Sequence, residues 1–134
     1  MRGRTRVRRL KRRFTRTEDL RAVPESRRAV RELLDHWGRP GQAETAELLT
    51  SELVTNALVH TERAAVLRVA ADPRRLRVEV RDFVRRRPEK RVPVPHEGTG
   101  GRGLVLVESL SDRWGVRGHG FGKAVWFELE SGHP

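Results

Sequence analysis

The sequence predicts an α+β fold, a two-layer sandwich whose mixed, largely antiparallel sheet carries the helices on one face. Apolar residues recur at helical spacing in three segments, which indicates amphipathic helices. In several shorter segments apolar and charged residues alternate, and glycine, proline or aspartate bounds them, which is typical of half-buried strands. With the helices on one face of the sheet, the other face would be left free for a partner.

Three helices are expected. The first includes Pro24 in its first turn and ends at Gly38. The second covers about residues 42–60, and the third about residues 103–113. The residues expected to face the core are Val30, Leu33, Leu34 and Trp37 in the first helix, Ala46, Leu49, Leu53 and Ala57 in the second, and Leu104, Val107, Leu110 and Trp114 at the third.

Five strands are expected, two pairs of which form hairpins. Asp72-Pro73 marks the turn of the first hairpin, and the glycine-rich segment 118–122 marks the turn of the second. Residues 83–99 are polar, basic and proline-rich, and they are expected to form a long mobile loop. The strands are predicted at residues 13–16 (a short edge strand), 65–71, 76–81, 114–117 and 123–130.

Length and composition indicate a single cytoplasmic domain. A chain of 134 residues suits one domain. The absence of cysteine excludes disulfides and thiolate metal sites and fits a reducing compartment. No apolar run approaches the roughly 20 residues of a membrane span, so no membrane contact is expected.

The net charge of +11 lies mostly at the N-terminus. Residues 1–13 hold eight basic side chains and no acid, which leaves a balance of +3 for the remainder. Such blocks are usually disordered, so residues 1–13 are predicted to be a tail and residues 14–132 a single domain. The sequence contains no recognised nucleic-acid-binding motif. Nucleic acid is therefore not an expected partner, beyond a non-specific contact by the tail.

Glu52, Asn56 and His60 follow one another at steps of four in the second helix. They therefore form a polar strip beside the apolar stripe, at the edge of the helix–sheet interface. The Asn56 amide oxygen suits Mg²⁺, and the Glu52 carboxylate could polarise a hydroxyl or water that attacks a phosphate. A solvated polar face would show the same spacing. His60 is expected to be a structural residue at the helix end.

Asp82 ends the alternating segment of Leu76, Val78 and Val80, and counting by twos places it on their buried face. A buried carboxylate needs hydrogen-bond donors. The exocyclic amine of a purine is one candidate donor, and loop amides are another. Alternatively, the carboxylate turns outward where the strand ends.

A glycine cluster precedes the third helix, in the segment Gly98-Thr99-Gly100-Gly101-Arg102-Gly103. Glycines let a backbone approach phosphates closely, and the helix that follows offers free N–H groups at its N-terminus. Arg102 could donate further hydrogen bonds to phosphate oxygens. An ordinary loop before a helix would look similar.

In this order the motifs resemble the ATP-binding domain shared by gyrase, the ninety-kilodalton heat-shock chaperone, sensor histidine kinases and MutL proteins. The segment 52–60 matches the N box of that superfamily, and 78–82 matches the strand that presents an adenine-binding aspartate. Residues 101–107 match the second glycine box, and 122–129 resemble the closing strand. Within the superfamily the chain is most similar to the small serine kinases that act as bacterial anti-sigma factors, over about residues 13–130.

The resemblance implies a Bergerat-type ATP-binding fold with ATP and Mg²⁺ as cofactors. Glu52 would be the catalytic base that activates a serine of a protein substrate, Asn56 would hold Mg²⁺, and Asp82 would bind adenine. The residues implied in phosphate and nucleotide binding are Gly98, Thr99, Gly100, Gly101, Arg102, Gly103 and Leu104. The partner would be a sigma factor or an antagonist of the anti-sigma factor. The resemblance is also compatible with a homodimer.

The chain departs from this family at the adenine side of the site. Glycines usually follow the aspartate two and four residues later, where this chain has Val84 and Arg86. Ala124 stands where a threonine often supports adenine. A non-catalytic interaction module with the same fold, binding nucleotide weakly or not at all, is therefore the alternative prediction.

Overall fold

A computed structural model describes residues 6–15, 19–61, 63–83 and 102–132 of the chain. The bounds of the helices and strands in these residues are β1 Arg8–Thr15, α1 Asp19–Leu33, α2 Gln42–His60, β2 Ala64–Ala71, β3 Arg75–Arg81, α3 Arg102–Leu110, β4 Arg113–His119 and β5 Gly122–Glu130. None of the helices in these ranges is long and apolar enough to cross a membrane.

The strands form one sheet in the order β1-β2-β3-β5-β4. The sheet was predicted to be mixed and largely antiparallel, and every neighbouring pair of described strands is antiparallel. Strand β5 lies between β3 and β4. The chain therefore reaches the outer edge of the sheet at β4 before it returns to pair with β3. With the three described helices, the result is the α+β architecture that the sequence predicts.

The core lies between the helices and one face of the sheet. On β3, Leu76, Val78 and Val80 are almost completely buried and pair across the sheet with apolar residues of β5. The predicted stripe of α2 is also buried. The end of β3 is held beside the C-terminus of α2, because the Phe83 N–H donates to the hydroxyl of Thr61, the residue that directly follows that helix. The residues of this stripe are Ala46, Leu49, Leu53 and Ala57.

Helix α1 begins five residues before Pro24, so the prediction that this proline lies in the first turn is wrong. An interior proline cannot donate the hydrogen bond to the carbonyl four residues earlier, and the helix tolerates this loss at one position. Packing explains the tolerance, because Ala22, Ser26 and Val30 are completely buried. Tertiary contacts therefore outweigh the local signal.

Strand β1 begins at Arg8, five residues before the predicted start of the edge strand. Residues 8–13, which the sequence assigns to a basic tail, thus pair with β2. The Arg8 guanidinium donates hydrogen bonds to the backbone carbonyls of Leu33 and Asp35, at 2.7 and 2.9 Å. These contacts satisfy carbonyls at the end of α1 and attach the strand to the helix layer.

Helix α3 ends at Leu110 rather than at residue 113, because Arg113 already belongs to β4. Leu104 and Val107 face the core as predicted, and Trp114 packs against the core from β4. Leu110 does not: its side chain is 46% exposed. Leu110 is the last residue of the helix, and the prediction that it faces the core is wrong.

Helices α1 and α2 are joined by an ion pair. Arg31 donates to both carboxylate oxygens of Glu47, at 3.1 and 2.9 Å, and Glu47 is buried. The hydrogen bond and the charge of Glu47 raise the pKa of Arg31 above its ordinary value. This bidentate geometry fixes the orientation of α1 on α2.

Candidate functional site

Asn56 carries an unsatisfied polar atom at the helix–sheet interface. Its side chain is 8% exposed, and its Oδ1 atom has no hydrogen-bond partner among the described residues. A buried amide oxygen without a partner is destabilising by about 1–3 kcal/mol. Such an atom is usually explained by a ligand, an ion or water. Asn56 therefore fits the predicted role of a ligand for a hard cation.

Glu52 precedes Asn56 by one turn on the same strip of α2 and is half-buried. Within the part of the chain that the structure describes, its carboxylate makes no hydrogen bond or ion pair. It contrasts with Glu47, one turn and a half earlier, which is paired with Arg31. The carboxylate of Glu52 is thus available to accept a proton or to bind a cation.

Asp82 is buried, as predicted, with 3% of its surface exposed. Its donors are protein groups of β5: Oδ1 accepts from the Lys123 backbone N–H and Oδ2 accepts from Lys123 Nζ, each at 2.8 Å. The backbone N–H of Asp82 donates to the Lys123 carbonyl at 2.9 Å. Backbone and side chain of Lys123 together hold the carboxylate at the end of β3.

Gly122 makes this approach possible. A β-carbon added there would overlap the Asp82 carbonyl oxygen and would lie 2.6 Å from the Oδ1 atom of Asp82. The φ angle of Gly122 is +155°, which side-chain-bearing residues rarely adopt. The sequence suggests only a hairpin glycine here, whereas the structure shows that this glycine admits the Asp82 carboxylate.

Thr61 connects the C-terminus of α2 to the residue after Asp82. Its completely buried hydroxyl donates to the Ala64 carbonyl at 2.6 Å and accepts from the Phe83 N–H at 3.1 Å. The Thr61 N–H donates to the Ala57 carbonyl at 2.8 Å and ends the helix. Asn56 lies five residues before Thr61, about 7.5 Å along the helix axis. Asn56 and Asp82 therefore belong to the same end of the domain.

The phosphate-binding prediction lies partly outside the described residues. Gly98, Thr99, Gly100 and Gly101 fall in the range 84–101, which also contains Val84 and Arg86. Arg102 and Gly103 begin α3, so their backbones belong to its first turn. The Leu104 side chain packs in the core, and only its backbone N–H is placed to serve a ligand. Helix α3 packs against α2, the helix that holds Asn56.

A magnesium nucleotide fits this site at one end better than at the other. At the metal end, Asn56 offers an unpartnered oxygen, and Mg²⁺ typically takes one or two protein ligands together with phosphates and water. The described residues contain no cluster of three or more His, Cys, Asp or Glu side chains that could bind a metal. At the end predicted to bind adenine, Lys123 Nζ donates to Oδ2 of Asp82, so a purine amine would have to share that oxygen or displace the ammonium group.

Three residues of this site were missed by sequence reasoning: Thr61, Gly122 and Lys123. Register could have identified Lys123, because Arg81 pairs with Ala124 and their neighbours Asp82 and Lys123 must then be adjacent. That register depends on β5 lying beside β3, which follows from the topology of the whole sheet. For Thr61 the sequence offers weaker evidence than for Lys123, namely a hydroxyl-bearing residue directly after a predicted helix.

A comparison with family models identifies the class of protein. The model described as the histidine kinase-like ATPase domain matches residues 17–129. The chain therefore belongs to the histidine kinase-like ATPase domain family. A comparison with curated proteins gives no match.

We expect Gly122→Ala to destabilise the domain by about 2–3 kcal/mol, because the new methyl group would overlap Asp82 and strain the backbone. Urea denaturation measures the change. Gly118→Ala is the matched control in the same hairpin, because nothing lies within 4 Å of a β-carbon at that position. Equal stability of the two variants would contradict the contact between Gly122 and Asp82.

Proposed function

We propose that this protein is an ATP-binding bacterial regulator that phosphorylates a serine or threonine of a small partner protein. The observation that carries the proposal is the unpartnered, buried Oδ1 atom of Asn56, one helical turn from the Glu52 carboxylate. The family match and the motif order support the same class of site. The cytoplasm is the compartment in which such a regulator would act.

In this proposal each residue has a separate task. Asn56 would hold Mg²⁺, and Asp82 would accept a hydrogen bond from the adenine amine. The N-terminus of α3, preceded by the glycine cluster 98–103, would bind the phosphates. ATP would supply the transferable phosphoryl group, and Mg²⁺ would neutralise its charge. Glu52 would accept the proton of the attacking hydroxyl at its carboxylate.

The partner would be a sigma factor or the antagonist that releases it, as in the anti-sigma serine kinases that the motifs resemble. Phosphorylation of the antagonist would end its hold on the regulator. The proposed function is compatible with a homodimer but does not require one. Pull-down from the native host, with and without ATP, tests the partner class: recovery of neither kind of protein would contradict it.

Asn56→Ala is expected to weaken magnesium-dependent ATP binding at least tenfold, because it removes the amide oxygen offered to the metal. Isothermal titration calorimetry with and without Mg²⁺ measures the effect. Thr55→Ala is the control, since Thr55 is exposed on the same turn of α2. If Asn56→Ala and Thr55→Ala bind ATP equally well, Asn56 is not the metal ligand.

Glu52→Gln is expected to lower the rate of partner phosphorylation by about 10²–10⁴-fold while ATP binding persists, because an amide cannot accept the proton. Transfer of radiolabelled phosphate to the purified partner measures the rate. Glu44→Gln serves as the control, because Glu44 is exposed in the first turn of the same helix. Full phosphorylation by Glu52→Gln would remove Glu52 from the mechanism.

A second candidate function is the non-catalytic interaction module, and the ion pair between Asp82 and Lys123 favours it. In that pair the Lys123 ammonium group, 2.8 Å from the carboxylate, gives Asp82 a hydrogen-bond donor from within the protein. Ala124, which is completely buried next to Lys123, lacks the hydroxyl expected of a family member at that place. On this hypothesis the domain would bind its partner protein whether or not nucleotide is bound.

Lys123→Met separates the two candidates. If Asp82 binds adenine, removal of the ammonium group ends its competition with the purine amine for Oδ2, and ATP is expected to bind about tenfold more tightly. Lys123→Arg keeps the charge and is the control. Calorimetry at millimolar ATP gives the answer: no binding by the wild type and by Lys123→Met would favour the interaction module.

A further inference from the structure

The face of the sheet turned away from the helices is a grid defined by strand register. Three rows of cross-strand neighbours run over all five strands. Within each row the paired residues lie on the same face. We call this surface the open face. Its rows are Arg9-Ala70-Arg77-Glu128-Arg113, Lys11-Arg68-Glu79-Trp126-Gly115 and Arg13-Val66-Arg81-Ala124-Arg117.

The open face is strongly basic. Its rows hold eight arginine or lysine residues and two glutamates, an excess of six positive charges. Both glutamates are already paired within the grid: Glu128 with Arg77 at 3.0 Å, and Glu79 with Arg77 and Arg117 at 3.3 and 3.5 Å. The two glutamates therefore form ion pairs within the open face and leave the basic residues at its edges unneutralised.

Five of the cations remain available. They are exposed and form no hydrogen bond, ion pair or ring contact within the described residues. They lie on β1, β2 and β4, so they surround the paired centre on both sides. These residues are Arg9, Lys11, Arg13, Arg68 and Arg113.

The surface lacks the apolar anchors of a protein interface. The exposed large apolar side chains of the described residues, such as Val59 and Phe121, all lie outside the grid. Trp126 is half-buried, with the Arg77 guanidinium 4.3 Å from its ring centre. Protein interfaces are centred on buried aromatic or apolar residues, and charged residues other than arginine are depleted there. A second copy of the chain would bring two faces of like charge together.

We propose that the open face binds the phosphate backbone of double-stranded DNA without sequence preference. The interaction is independent of ATP and goes beyond the proposed kinase function. Five strands at about 4.8 Å spacing make the face about 19 Å wide. Duplex DNA carries one charge per about 1.7 Å of its axis, so several phosphates meet the cations in any register. No base reading is needed for such contacts.

Alternation along β1 provides an internal control for this proposal. Arg9, Lys11 and Arg13 belong to the open face, whereas Arg8 and Arg12 belong to the helix side of the same strand. Arg8 is engaged with backbone carbonyls at the end of α1. A deletion of residues 1–13 would remove most of this strand together with the residues that precede it. Truncation must therefore stop before Arg8.

The test compares two triple variants of the full chain that lose the same charge. One carries Arg9→Gln, Lys11→Gln and Arg13→Gln on the open face. The other carries Arg12→Gln, Arg27→Gln and Arg28→Gln, three exposed arginines on the helix side. Fluorescence anisotropy of a labelled 30-base-pair duplex of arbitrary sequence measures binding between roughly 50 and 200 mM salt.

The open-face triple is expected to weaken binding at least tenfold and to reduce the salt slope by about two to three. The helix-side triple is expected to change affinity less than threefold. A double variant, Arg68→Gln with Arg113→Gln, tests the same surface without altering β1, and it should also weaken binding about tenfold. Thermal unfolding verifies that each variant folds.

Three outcomes would overturn the proposal. The wild type could fail to bind the duplex at low salt. Both triple variants could weaken binding equally, which would show that duplex binding depends on net charge alone. Deletion of residues 1–5 could abolish binding while the open-face variants retain it, which would assign it to the segment before β1.

Discussion

The carboxylate of Asp82 is the constraint on which this site depends. It is buried at the end of β3, where an ionised group without donors would cost several kcal/mol. Lys123 supplies a backbone N–H and an ammonium group, and Gly122 leaves room for Asp82 to approach them. The order of the strands makes these contacts possible, because β5 lies next to β3 and brings those donors to Asp82.

The polar strip of α2 is arranged differently. Asn56 is buried with an unpartnered oxygen, and Glu52 lies one turn away without a partner in the described ranges. One end of the proposed site thus contains unsatisfied acceptors, and the other contains a carboxylate that is already satisfied. A nucleotide would gain new contacts at the first end and would have to exchange contacts at the second. This asymmetry connects the two candidate functions, since the strength of the Asp82 pair decides between them.

The sequence predicts the parts of the molecule that depend on local pattern. The bounds of α2 and its buried stripe follow from the spacing of apolar residues, and the burial of Asp82 follows from alternation along β3. The start of β1 could not be predicted, because its basic residues are held by pairing with β2 and by the contact of Arg8 with α1. The Lys123 contact depends on register between strands 40 residues apart in the chain, which no local pattern encodes.

The two surfaces of the sheet separate two kinds of chemistry. The helix side holds the candidate nucleotide site, and the open face holds the excess of positive charge. Nuclear magnetic resonance of ¹⁵N-labelled protein titrated with magnesium ATP tests whether the helix side binds the nucleotide. We expect the signals of the Asn56 side-chain amide and the Lys123 backbone N–H to shift together in a saturable manner. Unchanged positions of both signals at millimolar magnesium ATP would contradict this expectation.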